Sequence, residues 1–180
     1  MSRNLDFRNE TFQPYTKAIG EMTLAWNDFH MVLSSLFDTA TKIPNRMIPT
    51  AVWNSQKVDR TQRDMLRALV DLDVLGHSLR PEIRKEIGWI LDRATSLEDL
   101  RNDAVHSPLL DETDGRVYAW YQLGNQRAKK LAKKDLLKEF SWFYDTIVEL
   151  REYATKLEGI MWNSSEPVPQ RPELPNKGKT

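Results

Sequence analysis

Apolar residues recur at intervals of three and four along most of this chain, which is the spacing of an amphipathic α-helix. The first stripe runs from Pro14 to about Thr39, and its members are Ile19, Met22, Leu24, Ala25, Phe29, Val32, Leu33 and Leu36. Proline suits the first turn of a helix, where its missing N–H would have no partner. The pattern therefore predicts an irregular lead-in over residues 1–12 and a long first helix after it.

Two more helices follow before residue 107. Pro44 and Pro49 predict a loop over 42–50, with a short helical piece around Trp53. A second helix is predicted over 57–75, where Gly76 is suited to a left-handed cap. A third begins at 78–81 and carries the most regular stripe of the chain, made up of Ile83, Ile87, Ile90, Ala94, Leu97, Arg101 and Ala104. It should end at about His106, because Pro108 disfavours a helical Ser107.

The pattern then changes to a period of two, which is typical of a β-strand. We predict a small antiparallel hairpin that pairs 109–111 with 116–123 across the turn residues 111–115. A last helix is predicted over 133–161, and a disordered, proline-rich tail over 163–180. The fold class expected is all-α: an antiparallel helical bundle over 13–162, with the hairpin inserted before the last helix.

Composition limits the functions that such a fold can have. The 180 residues include 26 basic and 26 acidic side chains and no cysteine. No global charge then attracts nucleic acid, so any RNA contact must be a local patch. Without cysteine there is no disulfide, thiolate zinc site or cysteine nucleophile. A charged N-terminus and the absence of a long apolar run predict a cytoplasmic protein with no membrane partner.

One short segment has the residue types of a catalytic site: Arg101, Asn102 and, at the predicted helix end, His106. Cleaving RNA without a metal requires removal of the 2′-OH proton, stabilisation of charge on phosphorus and protonation of the departing 5′-oxygen. Histidine can act as base or acid near neutral pH. The guanidinium of Arg101 matches phosphate oxygens, and Asn102 can add a neutral hydrogen bond.

The spacing of Arg101 and His106 raises a geometric difficulty. On an ideal helix the two residues are about 140° apart and roughly 7.5 Å apart along the axis. They can meet if the last turn frays at Ser107-Pro108, or if two copies of the chain contribute side chains across a two-fold axis. The second possibility also explains a charged residue on an apolar stripe, because Arg101 would then line a cleft between protomers.

A structural interpretation of the same residues competes with the catalytic one. A protonated histidine is favoured in the last turn of a helix, and Arg101 can pair with Glu98, Asp103 or an acidic residue elsewhere. His30 lies beside the apolar face of the first helix and is expected to be structural. The three histidines have no paired spacing, so no metal site and no cofactor are predicted.

The basic residues concentrate in one segment, formed by Arg127, Lys129, Lys130, Lys133, Lys134 and Lys138. Placed at the start of the last helix, they oppose its dipole, and binding of RNA phosphates would account for them. An ordinary solvated surface is the alternative. On the exposed side of the hairpin, Trp120 or Tyr118 can stack on a base.

The Arg-Asn-x3-His segment resembles the motif of HEPN domains (higher eukaryotes and prokaryotes nucleotide-binding). The layout over 14–162 is also similar, since the first helix carries Ala25-Trp26-Asn27-Asp28-Phe29. Many HEPN-like proteins have a glutamate where this helix has Asn27 or Asp28. The resemblance implies a homodimeric, metal-independent endoribonuclease, commonly a toxin–antitoxin or antiphage defence protein.

From the resemblance we expect Arg101, Asn102 and His106 to be catalytic. The expected partners are single-stranded RNA or tRNA, a second copy and a cognate antitoxin or regulatory protein. Some members of the family have lost catalysis, so a non-catalytic nucleotide- or protein-binding module is the alternative. A structural helical domain whose motif arose by chance is a third possibility.

Overall fold

The computed structural model describes residues 5–74, 77–111, 116–163 and 165–177, and these residues form an all-α fold, as predicted. Its helices are α1 (Leu5–Thr41), α2 (Met47–Asn54), α3 (Asp59–Val70), α4 (Pro81–His106), α5 (Gln126–Leu131) and α6 (Leu136–Ile160). Its short strands form two antiparallel pairs. In the first, β1 (Asp73–Val74) pairs with β2 (His77–Ser78), and in the second, β3 (Leu109–Asp111) pairs with β4 (Val117–Ala119). Within the described ranges, no helix is long and apolar enough to cross a membrane.

The chain divides into two compact units. Unit 1 contains Met1–Ala25, Leu97–Thr146 and Pro175–Thr180, and unit 2 contains Trp26–Ser96 and Ile147–Leu174. Three of the helices, α1, α4 and α6, therefore each supply one part of their length to unit 1 and the other part to unit 2. The hairpin β3–β4 and the helix α5 belong to unit 1, whereas α2 and α3 belong to unit 2.

The apolar stripe predicted for α4 is buried, and so are the apolar residues of α6 at helical spacing. On α4 these are Ile83, Ile87, Ile90, Ala94, Leu97 and Ala104, and on α6 they are Leu136, Phe140, Phe143, Ile147, Leu150, Ala154 and Leu157. The α1 stripe is buried as well from Met22 to Leu36, but the prediction for Leu24 is wrong, because 65% of this residue is exposed. Its place is taken by Trp26, which is 1% exposed.

The hairpin pairs the predicted segments, but β4 covers only Val117–Ala119 of the predicted 116–123. Leu109 pairs with Ala119, Leu110 with Tyr118 and Asp111 with Val117. Val117 and Ala119 are buried, and Tyr118 between them is only half-buried, as expected for a strand with one face on the core. The predicted turn residues 112–115 lie outside the described residues.

The start of α1 differs from the prediction. The helix begins at Leu5 and has Pro14 in its interior, so residues 5–12 of the expected irregular lead-in are helical. Proline within a helix removes one backbone hydrogen bond. The flanking turns evidently tolerate that loss, and proline here does not mark the first turn.

The segment between α1 and α4 is more broken than predicted. The helix α2 begins at Met47 and includes Pro49, so the loop is shorter than 42–50. The helix α3 covers only Asp59–Val70, because Val58 is extended (φ −127°, ψ 123°) and the chain turns at Asp71 into β1. Gly76, the predicted cap, lies outside the described residues.

The predicted last helix begins at Leu136 instead of at residue 133, and a separate short helix that was not predicted, α5, precedes it. The side chain of Asn125 accepts a hydrogen bond from the N–H of Ala128 and begins α5. The side chain of Asp135 accepts one from the N–H of Lys138 at 3.2 Å and begins α6. Both are favoured N-cap residues. Between the two helices Lys133 has φ +67°, in the left-handed region that helices do not continue through.

The tail also differs from the prediction of disorder. In unit 1 the indole of Trp142 donates to the carbonyl of Pro175 at 2.9 Å, and Lys177 pairs with the buried carboxylate of Glu139 at 2.9 Å. In unit 2 the guanidinium of Arg171 bonds to Glu86 through two nitrogens. Burial raises the pKa of Glu86, but the bonds from Arg171 and Tyr153 outweigh it and hold that pKa below its ordinary value. The tail is therefore held in place by side-chain hydrogen bonds and ion pairs.

Candidate functional site

The candidate catalytic residues lie in the last two turns of α4, in unit 1. Arg101 and Asn102 are half-buried, and the Nε atom of Arg101 is buried. His106, the last residue of the helix, is exposed. Ala104 is 2% exposed, which agrees with the predicted stripe. An arginine in the buried stripe and an exposed imidazole at the helix end are therefore both present.

Within one chain Arg101 and His106 are not brought to the same side of α4. The helix continues through His106, so the last turn is not frayed at Ser107-Pro108. The angular difference of about 140° expected on a regular helix therefore applies. Of the two arrangements considered from the sequence, only the one that combines residues from two copies is compatible with an intact last turn.

The short helix α5 is fastened to this end of α4 by polar contacts. Nη1 of Arg127 donates to the backbone carbonyl of Asn102 at 3.3 Å. Nζ of Lys130 lies 3.4 Å from the carboxylate of Asp103 and 3.5 Å from that of Asp99. The hydrogen bond to Asp103 and the two negative charges raise the pKa of Lys130, so this lysine stays protonated at neutral pH. Arg127 therefore comes within hydrogen-bonding distance of the motif.

Asp103 has a different partner from the one that the structural interpretation considered. Its carboxylate, which is 5% exposed with the rest of the residue, forms an ion pair with Lys130. A buried carboxylate without a cation is costly, so Lys130 has a structural role. The spacing of four between Asp99 and Asp103 put both carboxylates on one face of α4, but nothing in the sequence identified Lys130 as their partner.

Four lysines of the predicted RNA-binding surface divide into two groups. Lys130 and Lys134 are bound to buried carboxylates, the second to Glu139 at 3.4 Å. Lys129 and Lys133 are exposed, and within the described part of the chain neither has a carboxylate partner. The exposed pair is the part of this surface that a phosphate can approach without displacing an ion pair.

The predicted conflict between these lysines and a helix dipole does not occur at Lys129 and Lys130. Both lie in the last turn of α5, not at the start of α6. Positive charge at the C-terminal end of a helix is favourable. The expected conflict with a helix dipole was therefore wrong for these two lysines, because α5 was not predicted as a separate helix.

Trp120, the predicted stacking residue, directly follows β4. Its side chain is half-buried, and its backbone N–H donates to the carbonyl of Pro108 at 2.9 Å. This bond extends the ladder of the hairpin by one rung toward the end of α4. Trp120 is thus held near the turn that follows His106 in sequence, with part of its ring accessible.

Among the side chains that the structure describes, no group of three or more histidines, aspartates or glutamates is arranged so that it could hold a metal ion. Asp99 and Asp103, on the same turns of α4 as the motif, both lie beside the ammonium group of Lys130.

Comparison with models of known protein families, with curated proteins and with solved structures gives no match. Support for a function therefore comes from the chemistry of these side chains and from the resemblance of the Arg-Asn-x3-His segment to the HEPN motif.

Proposed function

We propose that this protein is a metal-independent endoribonuclease of the HEPN type that acts as a homodimer on single-stranded RNA or tRNA. A role in toxin–antitoxin or antiphage defence, with a cognate antitoxin or regulatory protein, belongs to the same proposal. The observation that carries it is Arg101 in the buried stripe of α4, followed by Asn102 and by an exposed His106 at the helix end.

Each residue has a role in the proposed reaction. His106 takes the 2′-OH proton or protonates the departing 5′-oxygen, as a general base or a general acid. Arg101 stabilises the charge that develops on the phosphorane oxygens, and Asn102 adds a neutral hydrogen bond. The 2′-OH attacks phosphorus, the P–O5′ bond breaks, and a 2′,3′-cyclic phosphate is left.

The contacts of α5 support a place for the RNA strand beside the motif. The guanidinium of Arg127 keeps further N–H groups after its bond to Asn102. Lys129 and Lys133 are exposed on the same segment. Trp120 offers part of an indole ring on which a base can stack. A strand that crosses these residues would have its backbone near His106.

The product of the reaction provides the test of this proposal. Purified protein should cleave single-stranded RNA in the presence of EDTA and leave 2′,3′-cyclic phosphate ends, which mass spectrometry of the fragments detects. The reason is that the proposed nucleophile is the 2′-OH, held close to its own phosphorus. Cleavage that stops in EDTA and returns with Mg²⁺ would contradict the mechanism.

A two-fold dimer is the second expected result. Because α4 is regular through His106, Arg101 of one copy and His106 of another would have to meet in a shared cleft, as a two-fold interface allows. Light scattering at micromolar concentration should give twice the 21.0 kDa of the chain. A monomer of 21.0 kDa that still cleaves RNA would exclude the shared site.

The two groups of lysines should respond differently to substitution. Changing Lys129 and Lys133 to Gln should lower the slope of log affinity against log salt by about 1.4, since each contact to a single strand contributes about 0.7. The melting temperature should not change. Changing Lys130 and Lys134 to Gln should lower the melting temperature, because the carboxylates of Asp103 and Glu139 are buried. Changing all four would lower the slope by at most about 2.8.

Fluorescence anisotropy with a labelled RNA at several salt concentrations measures both slopes, and each double variant is the control for the other. Superimposable slopes for the wild type and the Lys129/Lys133 variant would mean that these two lysines are an ordinary solvated surface. An unchanged melting temperature in the Lys130/Lys134 variant would remove their structural role.

One observation favours the alternative of a non-catalytic nucleotide- or protein-binding module. Lys130 is already paired with Asp99 and Asp103, so part of the positive charge around the motif is not available to a phosphate. A protein of this second kind would bind RNA or a partner through the same surface and leave the RNA intact.

A further inference from the structure

A polar cavity of about 350 Å³ lies in unit 2, among α1, α2 and α3. Its walls include Asn27, His30 and Ser34 from α1, and Thr50 and Asn54 from α2. The volume is within the range of small-molecule sites in proteins, at the lower end. None of these residues belongs to the proposed nuclease site, which is in unit 1.

One wall of the cavity carries a chain of hydrogen bonds, which makes that wall polar. Nη1 of Arg63 lies 3.3 Å from Nε2 of His30, and Nδ1 of His30 lies 3.3 Å from Oε1 of Gln62. Because a guanidinium can only donate, Nε2 accepts and the ring proton is on Nδ1. The amide of Gln62 then donates to the carbonyl of Trp53 at 3.2 Å. His30 is thus a neutral ring with both nitrogens engaged.

Four other side chains of the wall keep their hydrogen-bonding capacity. Those of Asn27, Ser34, Thr50 and Asn54 make no hydrogen bond within the described residues. All four are uncharged, and the two asparagines each present a donor and an acceptor side by side. An uncharged ligand that carries both donors and acceptors can pair with them.

The charges around the cavity disfavour an anion. The charged side chain in the described wall is Asp59, whose carboxylate accepts a hydrogen bond from the indole of Trp26 at 2.8 Å. The guanidinium of Arg63 is 2% exposed and contacts His30, so it is not available to pair with a ligand phosphate. An uncharged ligand fits this balance better than one that carries a phosphate.

We propose that this cavity binds a nucleobase, and adenine in particular. Adenine offers an N6 donor beside an N7 acceptor, and an asparagine amide pairs with both at once. Guanine offers two acceptors on the same edge and is read by arginine or lysine, which the described wall does not contain. The exposed side chain of Met31 supplies an apolar contact for the face of the ring, while Trp53, which is 3% exposed, contributes only the edge that reaches the wall.

The adenine can belong to a free nucleoside or to an unpaired base of RNA, and the experiment separates the two. The probes are adenosine, guanosine, ribose, AMP and an oligoadenylate, each added to isotope-labelled full-length protein carrying Arg101→Ala, which prevents cleavage. Adenosine should shift the amide signals of the cavity residues, and it should bind at least about tenfold more tightly than guanosine or ribose. AMP should bind more weakly than adenosine because of Asp59.

Two variants locate the site. Asn27→Leu and Asn54→Leu should each weaken adenosine binding at least about tenfold, since one good bidentate amide contact discriminates by that order. Both asparagines are exposed, so the fold should be retained. Gln13→Leu changes an exposed amide on the same helix, fourteen residues away, and should have no effect. Oligoadenylate that loses affinity in the same two variants would show that the base can come from RNA.

Equal binding of adenosine and ribose, no binding of adenosine at millimolar concentration, or equal losses in the Gln13→Leu control would each overturn the inference. It does not depend on the proposed nuclease activity, because the readout is binding to a variant that does not cleave.

Discussion

Replacing Arg101 or His106 with alanine should reduce the rate of RNA cleavage at least about a hundredfold. This is the usual scale for removing a general acid or base, or a group that stabilises charge in the transition state. The loss should be in kcat, because both groups act on the reacting phosphate and not on the remote strand. Initial rates on a labelled single-stranded RNA over a range of concentrations separate kcat from KM.

The melting temperature must be unchanged for this loss to be chemical. His106 is exposed and its removal should leave the fold intact, whereas Arg101 is half-buried and needs a second variant. Arg101→Lys keeps the charge but loses the planar fork, so it should also be slow. Val105→Ala, an exposed neighbour in the same turn, is the matched control and should be fully active. Wild-type rates in both alanine variants would leave the motif without a catalytic role.

The parts of the fold that the sequence predicted are those in which burial decides the pattern. The stripes of α4 and α6 are buried along their length, and the hairpin joins the two segments expected. In both cases the residues that face the core recur at the spacing of the element, which is about 3.6 residues in a helix and two in a strand. Leu24 shows the limit of the method, because a stripe of eight apolar residues on α1 contains more members than one face can bury.

The breaks between elements were harder to predict, although their chemical causes are local. Asp135 is a favourable N-cap, yet it follows a run of lysines that is compatible with helix. The left-handed conformation of Lys133, which separates α5 from α6, has no signal in its residue type. The tail is similar: its prolines exclude a helix, but only the folded chain shows that Lys177 meets Glu139.

The positions of the candidate residues on one helix could be predicted from the sequence, but the residues that surround them could not. The stripe of α4 identified Arg101 as inward-facing, and Pro108 identified the helix end. The contact of Arg127 with Asn102 joins residues 25 positions apart and depends on how α5 packs. That is tertiary information, which a single sequence does not contain in its local pattern.

Arg63 is the clearest example of a residue whose surroundings the sequence does not predict. Arginine is rarely buried without partners. It is 2% exposed in unit 2, with His30 at 3.3 Å and the ring of Trp26 5.6 Å from its guanidinium carbon. The sequence predicted a structural role for His30 from its place beside an apolar face. The hydrogen bond to Arg63 gives that role a specific cause.

Replacing His30 with leucine should therefore lower the free energy of unfolding by about 1–3 kcal/mol, the cost of leaving a buried polar group without one of its hydrogen bonds. Leucine keeps apolar contact with Trp26, so the loss is not mainly one of packing. His30→Gln, which retains an acceptor of similar length, should cost less. Urea denaturation followed by tryptophan fluorescence measures both variants, provided that the dependence on urea stays the same.

The comparison with Arg63→Met tests the cause. If the penalty in His30→Leu comes from the guanidinium, removing the guanidinium as well should recover part of it, since an apolar pair can be as stable as a buried polar one. The double variant should then be more stable than the sum of the single losses predicts. Additive losses, or a change below about 0.5 kcal/mol in His30→Leu, would mean that this hydrogen bond contributes little and that Arg63 is stabilised by its other contacts.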